Sequence, residues 1–475
     1  MADSLKEKTI NGLFWSSLER FSIQGIQFVI GIILARLLTP SDFGIIGMLS
    51  IFLAISQSFI DSGFSNALIR KIDRTQTDYS TVFYFNIIVG LVFYSILFFT
   101  APLIALFYNT PILIPITRFI AITLLLNSLT VVQRAHLSAF VDFKTQAKAS
   151  VIAVIISGSV GVWMAYNSYG VWSLVLQYVL NVFINSLLLW FFTKWRPSLV
   201  FSTKSFVELF SYGSRLLVSG LLDTIYRNVY TIVIGKRFAA QELGFYTRAD
   251  QFAQFPSSNI SGIVGRVTFP ILSGIQHDDE RLRIVYRKYL KLSAFVVFPL
   301  MIGLAAVARP LILLLLNSEW ESVIPLLQIL CFSMMWYPVH SINLNLLQVK
   351  GRSDLFLRLE IIKKIIAVLI LIVTIPIGVI AMCWGIVVSS VLALVVNTYY
   401  TGKVIKLGFF IQMRDLMPLL LISIIIGGVM FLSTQLFSSN IIKLSVGVVI
   451  GISCYITISL LFKSKELSHV FSMLQ

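Results

Sequence analysis

Charge is scarce in this chain. Of 475 residues only 12% are charged, against 57% hydrophobic. Soluble domains carry about 25% charged and 45–50% apolar residues. Too few polar residues remain to cover the domains that a water-soluble chain of this length would form. This excludes a cytosolic enzyme, a secreted domain and a disordered scaffold. Cysteine is nearly missing: Cys331, Cys383 and Cys454 all sit in apolar runs, with no CxxC and no Cys/His cluster. Neither a disulfide framework nor a metal site is expected. Acidic residues number 21 against 37 basic ones, a net charge of +16. In a membrane chain such an excess reflects basic cytoplasmic loops and does not call for nucleic acid. The polar stretch Met1–Thr9 does not lead into a short apolar core with a small-residue cleavage site, so no cleaved signal peptide is expected.

Catalytic signatures are missing as well. There is no Gly-rich phosphate loop, no nucleophile elbow and no HExxH. The histidines, His136, His277, His340 and His469, are scattered. Transport powered by nucleotide hydrolysis on this chain is excluded and no cofactor is expected. The energy must come from an ion gradient, the membrane potential or the substrate's own concentration difference.

What is present is a series of long apolar runs. A helix needs about 20 mostly apolar residues to cross a hydrocarbon layer of about 30 Å. Fourteen stretches qualify, from 14–36 to 441–462. The eighth, 249–273, holds Pro256, Gly262, Gly265, Arg266 and Pro270 and could be broken or interfacial. With the N-terminus in the cytoplasm, 26 of the 37 basic residues fall in cytoplasmic segments and six outside. That asymmetry follows the positive-inside rule and supports both termini in the cytoplasm. No predicted outer loop is long enough to hold a catalytic domain.

The sequence repeats weakly. A shift of 200 lays Val29–Ile46 over Val229–Tyr246, matching Arg36 with Lys236, Asp42 with Glu242 and Gly44 with Gly244. Six spans per repeat predict two similarly oriented lobes, 1–200 and 201–405, followed by an additional pair of spans and a tail at 406–475. Repeats of this kind place a transporter's site between them, near the midplane. The fold class expected is an all-α polytopic membrane protein with about 14 transmembrane helices, two pseudo-symmetric six-helix lobes and a C-terminal pair.

Ionisable groups inside such spans are costly, about 2.5–3.5 kcal/mol each on insertion scales, and usually face a cavity or the bundle interior. Ser16, Arg20, Gln24, Gln27 and Gly31 fall on one face of the first span, beside Glu19. The seventh carries Arg215, and its Ser219, Asp223, Arg227 and Tyr230 share a stripe. Asp223 can pair with Arg227 at i,i+4. The eighth adds Arg266 and the fourth Arg118. One reading is a wet, cationic cavity for a phosphate-bearing partner, which guanidinium forks suit. The other is snorkelling or structural pairing, favoured for Arg118. The candidate binding residues are therefore Arg20, Gln24, Gln27, Arg215, Asp223, Arg227 and Arg266. The amides Gln177, Asn181 and Asn185 in the sixth span, and Asn345 and Gln348 beside Ser341 in the tenth, serve either interhelical bonding or sugar contact.

The run LARLLTPSDFGIIGM (Leu34–Met48), followed by DSGFSNALIRK (Asp61–Lys71), resembles the N-terminal hairpin of bacterial polysaccharide flippases of the Wzx kind. YGVWSLV (Tyr169–Val175) and GRSDLFLRLEIIKK (Gly351–Lys364) resemble other segments of that family. It belongs to the multidrug/oligosaccharidyl-lipid/polysaccharide superfamily, whose members have twelve or fourteen helices in two lobes forming a V. The resemblance implies transport of an undecaprenyl-diphosphate-linked oligosaccharide from the inner to the outer leaflet of a bacterial inner membrane, by alternating access around a cationic cavity. The polysaccharide polymerase machinery is a further expected partner. Related lipid II flippases use arginines of the first lobe and the eighth span, where Arg20 and Arg266 stand here. The rival readings are a multidrug or cation antiporter of the same superfamily, which would want carboxylates in an apolar cavity, a membrane-embedded polymerase or ligase, and a non-transporting membrane scaffold.

Overall fold

The computed structural model describes residues 22–461 apart from Ser62, and the side chain of Arg215 is not described. Glu19 and Arg20 therefore lie outside the described residues. These residues form helices and connecting turns, with no strand among them. Helices lie over all fourteen expected stretches, the first from Ser22 onward. Ten of them are long and apolar enough to cross a membrane, so the chain is a multi-pass membrane protein. The others are α1 (Ser22–Leu37), short in its described part, and three richer in polar or charged residues: α10 (Thr203–Arg237), α11 (Ala240–Gly274) and α16 (Ser353–Thr374).

Two compact units divide the chain, Met1–Gly244 and Phe245–Gln475. The division lies inside α11, beyond the 200/201 boundary that the repeat suggests. The first unit contains α1, α2 (Pro40–Asp61), α3 (Phe64–Arg70), α4 (Gln76–Tyr108), α5 (Leu113–Ile120), α6 (Ile122–Ser128), α7 (Val131–Ala139), α8 (Phe143–Tyr166), α9 (Val171–Phe192), α10 and the start of α11. The division includes α10 because it packs on α2, α3 and α4. The span expected at 113–133 is three helical pieces, α5 to α7, interrupted at Ala121 and at 129–130.

Short polar sequences start these helices. Thr75 and Asp78 form a capping box: the Asp78 carboxylate accepts from the Thr75 N–H at 2.8 Å, and Thr75 Oγ1 accepts from the Asp78 N–H at 3.3 Å. Asp142 caps α8 by accepting from the Thr145 N–H at 3.1 Å. Such caps satisfy orphan amides at the helix start. Within the bundle, small residues let helices approach. Gly158 of α8 receives Ile30 of α1, and Gly90 of α4 lies against Ser128 of α6.

The closest approach joins the starts of α2 and α11. A Cβ built on Gly44 would collide with the carbonyl oxygen of Ala240, and one on Gly244 with that of Pro40. The two glycines matched by the 200-residue shift thus make the same contact from opposite sides, each against the residue four positions before its mate. Thr39 and Asp42 fix the start of α2: the Asp42 carboxylate accepts from the Thr39 N–H at 3.0 Å and from its hydroxyl at 2.7 Å.

The second unit holds the rest of α11, then α12 (Asp279–Ala306), α13 (Ala308–Leu315), α14 (Val323–Met334), α15 (Tyr337–Val349), α16, α17 (Val379–Ile405), α18 (Phe409–Gln435) and α19 (Asn440–Leu461). The eighth stretch is one continuous helix through Pro256 and Pro270, which answers whether it is broken. The ninth and tenth are each divided instead, at Val307 and at 335–336. The pair α18–α19, expected as an addition, is packed into this unit against α12 and α13. Gly427 of α18 meets Ile302, and Gly451 of α19 meets Met430. At the α12–α18 contact, buried Asp415 accepts from Arg287 Nε and an Nη at 2.6 and 2.7 Å, and its other ion pair, to Lys291, is 3.1 Å. One turn earlier on α18, Gln412 and Asn343 of α15 exchange amide hydrogen bonds of 3.1 and 3.2 Å, and Thr401 donates to Asn343 Oδ1 at 2.6 Å.

The glycine contact yields a test. Gly44→Ala and Gly244→Ala each force two backbones apart, at a cost of about 1–3 kcal/mol for overpacking. Both lower the thermal midpoint of the purified protein in detergent. Gly262→Ala, with no atom near its new methyl group, leaves the midpoint unchanged or raises it.

Candidate functional site

In the first unit, α10 presents two kinds of polar side chain. Thr224 and Asn228 turn to α2, within 3.3 Å of Ser58 Oγ and 3.4 Å of Ser50 Oγ. Asp223 and Arg227 lie on another face and form the expected pair, Nε to Oδ2 2.8 Å, with Arg227 74% and Asp223 50% exposed. A guanidinium this accessible keeps donors available for an anion. Ser219, on the same stripe, is exposed. Arg215 belongs to α10 by its backbone.

On α1, Gln27 is exposed and Gln24 half-buried. The Gln24 Oε1 atom is buried without a hydrogen-bond partner among the described residues. Arg118 follows the structural reading: its Nε donates to the Phe98 carbonyl at 3.3 Å and its guanidinium lies 4.6 Å from that ring's centre. Asn181 donates to Ser157 Oγ of α8 at 3.2 Å, the interhelical role expected of an intramembrane amide.

Arg134 was not anticipated as a site residue, because its place beyond the fourth stretch marks it as a topology signal. Its charge acts on both Asp61 of α2 and Tyr178 of α9. Nearby on α2, Gln57 accepts from Asn127 Nδ2 at 3.0 Å and donates to Asp61 at 3.4 Å. Gln57, Asp61 and Asn127 form a polar group drawn from α2 and α6, within range of the Arg134 charge on α7.

A second feature missed in the sequence joins α10 to the α3–α4 connection. Lys71 reaches Asp78 and Glu208, both at 3.1 Å. Arg70 lies over the Tyr212 ring at 4.6 Å. Gly63 turns with φ 68°, and a Cβ there would stand 2.8 Å from the Gly213 Cα. Burial by itself would lower the Lys71 pKa, but its bonds to Glu208 and Asp78 outweigh it and hold the ammonium above the usual lysine range. The cavity beside this junction, about 460 Å³, is lined by Arg70, Lys71, Asp73, Glu208 and Tyr212 among others. Opposite charges balance there, so it suits a closure between elements better than an anion site.

In the second unit, Arg266 projects from α11 as an exposed side chain with no hydrogen bond or ion pair to the described residues. No cluster of metal-ligating residues occurs among the described residues.

The Lys71 junction is testable. Lys71→Met leaves the Asp78 carboxylate, 1% exposed, without its countercharge. An unpaired buried charge costs roughly 1–3 kcal/mol or more, so the thermal midpoint falls, and adding Asp78→Asn restores part of the loss. Because the lysine pKa is raised, the pair contributes fully below the unfolded value of about 10.4 and weakens only as pH climbs through the higher folded value. The wild-type minus Lys71→Met difference is therefore constant from about pH 6 to 9 and shrinks above it, as melting curves at stepped pH will record.

Comparisons with known proteins supply context for these residues. The sequence family described as "Polysaccharide biosynthesis protein" matches residues 33–325. The teichuronic acid biosynthesis protein TuaB of Bacillus subtilis is 28% identical over 95% of this chain and 95% of its own length. The lipopolysaccharide biosynthesis protein WzxC of Escherichia coli is 25% identical over 87% of this chain and 82% of its own. Among solved structures, the lipid II flippase MurJ in an inward closed conformation superposes with a TM-score of 0.78 at 15% identity, covering 94% of this chain and 98% of that one. An inward-facing multidrug transporter of the MATE family gives 0.61 at 14% identity, over 83% and 99%. These structural likenesses concern the fold.

Proposed function

This chain belongs to the polysaccharide biosynthesis protein family, and on that premise we propose that it is a flippase for a lipid-linked oligosaccharide. The cargo is an undecaprenyl-diphosphate-linked oligosaccharide, carried from the inner to the outer leaflet of the bacterial inner membrane for a surface polysaccharide. A diphosphate with several sugars cannot enter hydrocarbon unaided, since each unpaired polar group costs several kcal/mol. The protein must supply a polar path, and its two repeats alternate access to that path. Both termini lie in the cytoplasm, and a polysaccharide polymerase takes the product at the outer face.

The observation that carries this reading is the accessible guanidinium chemistry on two 35-residue helices of an otherwise apolar bundle, Arg227 on α10 and Arg266 on α11. Arg20, Arg215, Arg227 and Arg266 grip the diphosphate through charge-assisted hydrogen bonds. Gln24, Gln27 and Asp223 line the path, with Asp223 keeping Arg227 oriented at 2.8 Å. Relatives named for teichuronic acid and lipopolysaccharide biosynthesis, similar along nearly the whole chain, support a polysaccharide cargo over a drug. Nothing in this reading asks the protein to make or break a covalent bond, so it is a transporter and no enzyme.

The assignment is tested in a host that depends on this protein for its surface polymer. Arg20→Ala, Arg227→Ala and Arg266→Ala each reduce surface polysaccharide roughly tenfold at equal protein abundance, the effect of about 1.4 kcal/mol of lost charge-assisted binding. Arg→Lys variants keep part of the activity. Normal polymer from all three alanine variants would sink the site assignment.

A further inference from the structure

Within the second unit, one histidine is held by two residues of a single helix face. His340 of α15 lies against α17, where Ser390 and Asn397 are seven residues apart and so face the same way. His340 Nε2 is 3.1 Å from Ser390 Oγ, and His340 Nδ1 is 3.0 Å from Asn397 Nδ2. Ser390 in turn donates to the Ser333 carbonyl at 3.4 Å. An amide nitrogen only donates hydrogen bonds. His340 Nδ1 must therefore accept, which places the ring's single proton on Nε2 and makes the imidazole neutral.

Asn397 is 1% exposed, and its Oδ1 is buried without a hydrogen-bond partner among the described residues. An orphaned buried acceptor beside an imidazole is costly unless some state of the protein uses it. Rotating the Asn397 amide by half a turn brings Oδ1 to His340 Nδ1. It would then accept the second proton of an imidazolium, while Nε2–H continues to donate to Ser390. The same three side chains thus satisfy the ring with one proton or with two.

The surroundings keep this switch isolated. The charged group acting on the ring is Lys363 of α16, which is tied to Glu360 at 2.5 Å. From α12 comes Tyr286, fully buried. The partners on α17 are the neutral Ser390 and Asn397. The Lys363 ammonium opposes a second positive charge, which favours release of the proton after each uptake. His340 itself is half-buried.

We propose that His340 is a proton-binding site that couples the transport cycle to a pH gradient, with Asn397 as the amide that accommodates both protonation states. The step is the addition of one H⁺ to the Nδ1 lone pair with rotation of the Asn397 amide, reversed on release. The coupling role rests on the flippase reading; the proton site does not.

Two measurements on the full-length protein separate the claims. The first follows deuterium exchange at the histidine C2–H by mass spectrometry across pH in detergent. The His340 rate traces a titration curve, and Asn397→Leu moves its midpoint down by about one pH unit, as expected when a hydrogen bond to the charged form is lost. A curve identical in wild type and Asn397→Leu, or a rate that never titrates, overturns the site. The second uses proteoliposomes holding an undecaprenyl-diphosphate-linked disaccharide and an imposed pH difference of one unit. One proton per substrate supports about a tenfold transbilayer ratio of the lipid. Wild type builds that ratio; His340→Gln, whose amide can still bond Ser390 and Asn397, brings it to about one. A ratio kept by His340→Gln overturns the coupling. No lipid movement by wild type overturns the flippase reading and the coupling together, while the exchange curve still decides the proton site.

Discussion

A bilayer offers no water to a polar group, and that single restriction organises this molecule. Every polar side chain within a spanning helix must be matched by another group of the protein or stand in a wet place. Most are matched. Asn343 and Gln412 exchange amide bonds in a buried group with Thr401. Asn181 reaches Ser157 on the next helix, and Arg118 lies on its neighbour Phe98. Against that background the exposed guanidiniums of Arg227 and Arg266 stand out.

The same restriction explains what the sequence disclosed. Ten of the helical stretches were legible because length and apolarity are demanded by the hydrocarbon thickness, and both are written in composition. The Asp223–Arg227 pair was legible because i,i+4 spacing alone brings two side chains together on a helix. The glycine match at 44 and 244 was visible as a 200-residue shift. What was hidden had no local signal. The break at Ala121 lies in a run with no glycine or proline beside it, so the interruption at 113–139 belongs to packing and left no mark in the pattern. Pro256 and Pro270 raised the question of a broken eighth span, yet α11 is continuous through both.

Long-range partners were likewise beyond reach. Lys71 and Glu208 are 137 positions apart, and nothing near either names the other. Arg134 reads as a topology charge because it stands past an apolar stretch, whereas the groups its charge acts on, Asp61 and Tyr178, lie on helices far along the chain. His340 stands far from the other three histidines in the sequence. Its partners turned out to be a serine and an asparagine, residue types too common in membrane helices to attract notice.

The reciprocal packing of Gly44 and Gly244 ties the two positions together. Each glycine lies against a backbone carbonyl where a methyl group has no room. A side chain gained at either position would have to be answered by a shift of the opposing backbone, so the two sites are free to change only in concert with the helix starts that face them.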